Sequence, residues 1–258
     1  MIFKNSQKDW NLNLPQNRKQ VILKMSGGAD STIMAYLFAL YKKEERPDLK
    51  LYVATVIGYP PKNWHGNKVK PILKKITELT GVTFEKHFTR DVPEVGWDDP
   101  SLSEEEWLRT MPYTKTQIEL ISDIKKEIQI DNKPENRPIH YGGVTKNPPR
   151  SETQFYEDWE KDHGGGNWIR DRDADTVRDG DVTKKDEHWC TPFTNIDKRA
   201  LYEYYVNYNV LEDLFPLTRS CEDNKTAQQI IDGVADDHCG TNCWWCLERK
   251  WAFNGRLV

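Results

Sequence analysis

The apolar positions change period along the chain, and each change marks an element. Val21-Ile22-Leu23 is a short continuous apolar run. It leads into Met25-Ser26-Gly27-Gly28-Ala29-Asp30-Ser31-Thr32. Ile33, Met34, Leu37, Phe38, Leu40 and Tyr41 then follow at helical spacing. The pattern predicts a buried strand, a tight glycine turn and a helix. Leu51 to Ile57 reads as a second buried strand, ended by Gly58 and Pro60-Pro61. Val69, Ile72, Leu73, Ile76 and Leu79 give a helix over 68–80, which Gly81 stops. Val82 to Phe88 is a third expected strand. Ile118, Leu120, Ile121, Ile124 and Ile128 mark another helix face, and Arg137 to Val144 a fourth strand that ends at Gly142-Gly143. Repeated strand–helix units predict a parallel sheet with ligands at the carboxyl ends of its strands.

Elsewhere the pattern is weaker. In residues 1–19, Trp10, Leu12 and Leu14 alternate with polar neighbours, which fits an edge strand, a segment lying across the domain or a loose tail. Residues 157–188 hold Gly164-Gly165-Gly166 and many charges with almost no periodicity, as in a long polar excursion. Asp171, Asp173 and Asp175 alternate as in a calcium loop. Thr176 and Val182 stand where that loop needs Gly and Glu, so a solvated loop is the expectation. Trp189 to Phe193 is a short strand or turn. Asp197 is placed to cap a helix carrying Leu201, Tyr204, Tyr205 and Tyr208. Lys198 then falls in the first turn, where the dipole does not favour a cation; it reaches solvent or serves an anion. These shifts divide the chain into an N-terminal extension (1–19), a nucleotide-binding α/β domain (20–156), a polar insert (157–188) and a C-terminal helical segment with a cysteine knuckle (189–258).

Composition narrows the class only a little. A length of 258 residues suits one large α/β domain with a small appendage. The net charge of −4 gives no overall basic field, which argues against a dedicated nucleic-acid binder. No apolar run approaches the roughly 18 residues that span a bilayer. The N-terminus lacks a signal-peptide pattern, so a cytoplasmic protein without a membrane partner is expected.

The glycine turn carries the first chemistry. Gly27 and Gly28 let the backbone turn sharply and leave no side chain between amide and ligand. A helix that starts there offers unpaired N–H groups and the positive end of its dipole, a place for phosphate or pyrophosphate. Ser26, Ser31 and Thr32 add hydroxyls, and Asp30 either caps the helix or assists magnesium. The stretch has no Gly-Lys-Ser/Thr ending of a Walker loop and no Gly-x-Gly-x-x-Gly dinucleotide pattern. Gly-Gly alone is common in plain strand–helix turns. The full Ser-Gly-Gly-x-Asp-Ser after a strand is sharper, and resembles the pyrophosphate loop of the ATP pyrophosphatases.

The cysteines carry the second. Of five, four fall late: Cys221, then Cys239, Cys243 and Cys246 in a C-x3-C-x2-C knuckle. Four thiolates satisfy a tetrahedral structural zinc ion, with an iron–sulfur cluster as the lesser alternative. Cys190 stands apart as a small core residue. His65, His87 and His140 are general-base candidates by residue type alone, a type more often structural.

Together, the two stretches resemble the 7-cyano-7-deazaguanine synthases. The match runs through the glycine loop, Thr191-Pro192, Asn195 to Lys198, Leu217 to Cys221, the knuckle, Arg249 and Ala252-Phe253. It covers about 20–60 and 189–254. The resemblance implies a Rossmann-like parallel sheet with helices on both faces, a homodimer, and ATP, Mg2+ and Zn2+ as cofactors. It implies adenylation of 7-carboxy-7-deazaguanine, ammonia attack to give the amide, and a second activation to give the nitrile. Ser26, Gly27, Gly28, Ala29, Asp30 and Ser31 would hold the nucleotide's pyrophosphate end, with Asp30 and Lys198 catalytic and Gly142 and Gly143 near the substrate. Cys221, Cys239, Cys243 and Cys246 would hold the zinc. The middle departs: Met111 to Thr116 replaces the family's Pro-Gly-Arg-Asn stretch, and Thr145 to Arg150 its acidic, aromatic loop. Cys239-x3-Cys243 is one residue longer than usual, and the insert at 157–188 is extra. Two other readings stay open: a relative acting on another substrate (tRNA or nucleic-acid base modification, or another amidotransfer), and a non-catalytic binding module. The divergent middle and the Trp-rich knuckle, with Trp244, Trp245 and Trp251, motivate the latter.

Overall fold

The computed structural model describes residues 1–57, 65–92, 112–128, 137–149, 151, 182–183, 189–220 and 244–256. Short apolar runs become strands: β1 (Ile2–Phe3), β2 (Trp10–Asn11), β3 (Gln20–Lys24), β4 (Lys50–Ile57), β5 (Lys86–Asp91), β6 (Ile139–Gly142), β7 (Val182–Thr183) and β8 (Trp189–Thr191). The helices are α1 (Ala29–Glu44), α2 (His65–Thr80), α3 (Pro112–Ile128), α4 (Lys198–Asn207), α5 (Leu211–Leu214) and α6 (Trp244–Ala252). Among the described residues the main sheet runs β5-β4-β3-β6-β8-β7, parallel except for β7.

Alternation along the strands sorts their side chains between two faces. Val21, Leu23, Leu51 and Val53 join the larger core with α1, α2 and α4. Ile22, Ala54 and Val56 meet Leu120, Ile121, Ile124 and Ile128 of α3 on the other. The result is a helix–sheet–helix sandwich, the expected Rossmann-like α/β class. Helix α1 is enclosed, with eleven side chains from Ala29 to Tyr41 buried, because the sheet, α2 and α4 all pack on it.

The order decides where a ligand fits. From β3 the chain steps outward through β4 to β5, then returns to β3's other side as β6. The direction of winding therefore reverses between β3 and β6, a switch point of the kind beside which open sheets bind ligands at their carboxyl ends.

Some boundaries differ from the sequence reading. The third strand lies at 86–91, not 82–88. Thr80 Oγ1 accepts from the Val82 amide at 3.1 Å, so Val82 finishes the helix stop, and β4 pairs only from Tyr52 opposite Lys86. Polar Thr89, Arg90 and Asp91 are tolerated because β5 is the sheet's edge; Arg90 pairs with Glu119 and Asp123 of α3. The fourth strand is shorter, 139–142. The polar excursion contributes β7 near its end, which lies antiparallel on β8. The rest of 157–188, including Asp171, Asp173 and Asp175, lies outside the described residues.

Residues 1–19 lie across the domain. The pair β1–β2 buries Phe3 and Trp10, and the Trp10 ring sits 5.6 Å from Phe38 and 5.5 Å from Phe193. Buried Arg46 fixes the segment beyond, donating to the carbonyls of Leu14, Pro15, Gln16 and Arg18 at 3.0–3.4 Å while paired with Asp48. Among the described residues no helix is long and apolar enough to cross a membrane.

Candidate functional site

Strand β3 ends at Lys24, and the turn it feeds is made by backbone. Gly27 has φ +81°, a conformation costly for any side chain. Gly28 is the cap of α1, extended at φ −79°, ψ 163°, and no side chain caps the helix. Asp30 is thus not the cap; it is the second helical residue. The first rung of the ladder is Thr32 N–H to Gly28 O at 3.1 Å, so the amides of Ala29, Asp30 and Ser31 precede it. Exposure alternates: Lys24, Ser26, Gly28 and Asp30 are half-buried, while Met25, Gly27 and Ala29 are buried.

The hydroxyls divide in role. Ser31 Oγ donates to Gly28 O at 3.2 Å and accepts from Ser26 N at 3.3 Å, closing the loop on itself. Ser26 Oγ accepts from Gly28 N at 3.4 Å from a half-buried position. Thr32 is fully buried and its hydroxyl has no partner. It therefore does not join the open donors, contrary to the sequence expectation, because its place in the first helical turn faces the core.

Gly143, just past β6, lies against this turn. A Cβ there would stand 2.9 Å from the Asp30 carbonyl carbon and 3.0 Å from Ser31 N. The structure thus supplies a packing reason for the glycine. The next segment stays close: Thr145 Oγ1 donates to Asp30 Oδ2 at 3.4 Å, and Lys146 N to Ile196 O at 3.0 Å. Gly142 is paired opposite Lys24 in the sheet.

Lys198 arrives from the other end of the chain. Asp197 caps α4, accepting from Arg199 N at 2.9 Å, and Gln7 Nε2 donates to the same carboxylate at 2.7 Å. That cap fixes Lys198 in the first turn, where it is 7% exposed and serves anions inside the protein. Its ammonium lies 3.6 Å from Asp30 Oδ1 and 2.8 Å from Glu248 Oε2. Of the two paths open to this lysine, solvent is excluded. Tyr205, one helical stretch on, donates from Oη to Ala29 O at 2.8 Å. Burial raises its pKa well above the usual phenol range, so the hydroxyl stays a donor.

The C-terminal segment holds the turn from its other side. Arg219 N donates to Gly27 O at 2.9 Å. Arg249 of α6 fixes that segment, donating to Thr218 Oγ1 at 2.8 Å, Ser220 Oγ at 3.1 Å and Phe215 O at 3.1 Å, with its guanidinium 3.7 Å over the Phe215 ring. Sequence reasoning missed Glu248 as a site residue. Its only trace was its place two residues after Cys246, on the same helix.

The described residues bring together Ser26 to Ser31, Gly143 and Lys198. Cys246 is buried on α6, and Cys221, Cys239 and Cys243 lie outside the described residues. Among the described residues no group of three metal-binding side chains occurs. His140 is buried in β6. His87 is on β5, two strands from the turn, with Nε2 2.8 Å from Thr55 Oγ1; burial, then Lys70, lowers its pKa to about 4.

No protein-family model matches the chain. No curated protein matches it either. Among solved structures, the chain is similar to NMN synthetase from Francisella tularensis (12% identity, 92% of this chain and 84% of that one, TM-score 0.40). It is also similar to U34-tRNA thiolase NcsA from Methanococcus maripaludis with its 4Fe-4S cluster (14% identity, 91% and 70%, TM-score 0.42). Both TM-scores fall below 0.5, so neither likeness assigns a substrate or cofactor to this chain.

Proposed function

We propose that this protein is an adenylating enzyme of the ATP pyrophosphatase type. The observation that carries the reading is the turn at 26–31: a half-buried, amide-rich helix start at the sheet's switch point, with a buried lysine 3.6 Å from its aspartate. An anionic triphosphate suits such a place, since amide donors and the helix dipole favour negative charge. In this reading the amides around Gly27 to Ser31 and the Ser26 hydroxyl hold the pyrophosphate end of ATP. Lys198 offsets phosphate charge, and Asp30 helps hold the accompanying Mg2+.

The finer reading, which rests on the sequence resemblance, is conversion of 7-carboxy-7-deazaguanine. A carboxylate oxygen attacks the α-phosphorus of ATP and pyrophosphate leaves. Ammonia then attacks the acyl carbon, AMP leaves, and the amide forms. In a second round the amide oxygen is adenylated, and loss of AMP and protons leaves the nitrile. The protein's part is positioning and charge neutralisation. In this reading the substrate approaches beside Gly142 and Gly143. Cys221, Cys239, Cys243 and Cys246 would hold a structural zinc, and a homodimer in the cytoplasm completes the proposal. The contacts of Arg219 with Gly27 and of Lys198 with Asp30 support it, because they join the two stretches that carry the resemblance.

The test is incubation with 7-carboxy-7-deazaguanine, ammonia and Mg-ATP. The expected result is AMP and pyrophosphate in step with amide or nitrile, read by mass spectrometry. Nucleotide turnover only with another acceptor overturns the substrate. No turnover and no Mg-ATP binding by a folded, metal-loaded sample overturns the class.

A further inference from the structure

Helix α6 reaches the glycine turn twice, through neighbouring residues of opposite charge. Glu248 and Arg249 are both fully buried. Arg249 grips the 218–220 segment whose amide holds Gly27 O, on the turn side. Glu248 holds the Lys198 ammonium at 2.8 Å, on the helix side, where Asp30 stands 3.6 Å away. The two contacts of that ammonium are unequal. The short one goes to a carboxylate sealed from solvent. The long one goes to a carboxylate that is 19% exposed. A flexible lysine stem, by itself, would spread its charge over many positions. Here the buried carboxylate fixes one.

We infer that Glu248 is the positioning residue of the site: it holds the Lys198 ammonium at the mouth of the glycine turn, ready for phosphate, while Asp30 stays available to the metal that comes with the nucleotide. The inference rests on the nucleotide reading above. A charged residue buried beside a lysine has a plain structural explanation too, since each charge needs a partner. The two differ in what they predict for nucleotide affinity once folding is accounted for.

The experiment is a double-mutant cycle on the full chain with Glu248→Gln and Lys198→Met. Mg-ATP affinity is measured by calorimetry and folding by thermal melts. Glu248→Gln is expected to weaken Mg-ATP binding by about 10- to 100-fold, the range for losing one hydrogen bond to a charged group. With Lys198→Met already present, the second change should cost no further affinity, because the residue acts only through the lysine. Glu248→Asp keeps the buried charge, and so guards against loss of fold. It draws the ammonium back by a methylene and should weaken binding in the same direction. Affinity unchanged in Glu248→Gln or Glu248→Asp, or losses that multiply in the double variant, overturns the inference and leaves the nucleotide reading standing. A folded wild-type chain that binds no Mg-ATP overturns both.

Discussion

The glycine turn and the charged cluster beside it are built in opposite ways. The turn is backbone: Gly27 at positive φ, Gly28 at the helix cap, Gly143 pressed against Asp30. Its parts are nearly contiguous in sequence, with Gly143, Tyr205 and Arg219 bracing it from afar. The cluster is side chain: Asp30, Lys198 and Glu248 meet from three distant stretches, with Lys198 and Glu248 buried and Asp30 partly exposed. A backbone site survives loss of any one hydroxyl but tolerates little added volume. A charge cluster tolerates volume but not the loss of a partner.

Breaking the cluster should have the larger effect. Lys198→Met leaves the sealed Glu248 without its ammonium, and a buried charge stripped of its partner costs about 3–5 kcal/mol. Urea titration should show the midpoint fall with little change in slope. Gly143→Ala is next. The added methyl meets backbone that cannot rotate away, so about 1–3 kcal/mol is expected from overpacking. Mg-ATP affinity should fall as well, because the Asp30 turn must shift. Gly27→Ala is milder, about 1–2 kcal/mol for a side chain in the left-handed region. If Gly27→Ala proves costlier than Lys198→Met in the same titration, the contrast between the two regions fails.

The smallest effect on the nucleotide site is expected outside both regions, and it serves as a control. His87 has its pKa lowered from 6.5 to about 4 by burial, with Lys70 adding to it. The unfolded chain therefore binds more protons between those values, and stability falls as pH drops from 6.5 toward 4. His87→Gln should flatten that stretch of the stability–pH curve and leave the nucleotide site untouched.

The same contrast explains what the sequence made legible. Period and glycine placement gave β3, the turn, α1, β4 and α2, since each is specified by neighbouring residues. Asp197 as a cap was equally local, and the structure has it. The start of β5 was misplaced because pairing with Tyr52, not propensity at Val82, sets it. From its local pattern, apart from the resemblance, Lys198 was readable only as a cation at an unfavourable helix end. What resolves that conflict, Glu248, lies fifty residues on and carries no local mark. Thr32, counted among the donors by spacing, is turned into the core by the helix it helps begin. The metal expectation rests on Cys221, Cys239 and Cys243, outside the described residues, and on Cys246, buried on the helix that bears Glu248 and Arg249.

The central claim is that a nucleotide's phosphates sit on the turn at 26–31. The most direct measurement is a Mg-ATP titration of the 15N-labelled full chain, followed by amide resonances. The account predicts saturable shifts concentrated at Gly27, Gly28, Asp30 and Ser31, extending to Gly143 and Lys198. Saturable shifts confined to other parts of the chain, or none at all at millimolar nucleotide, would contradict it.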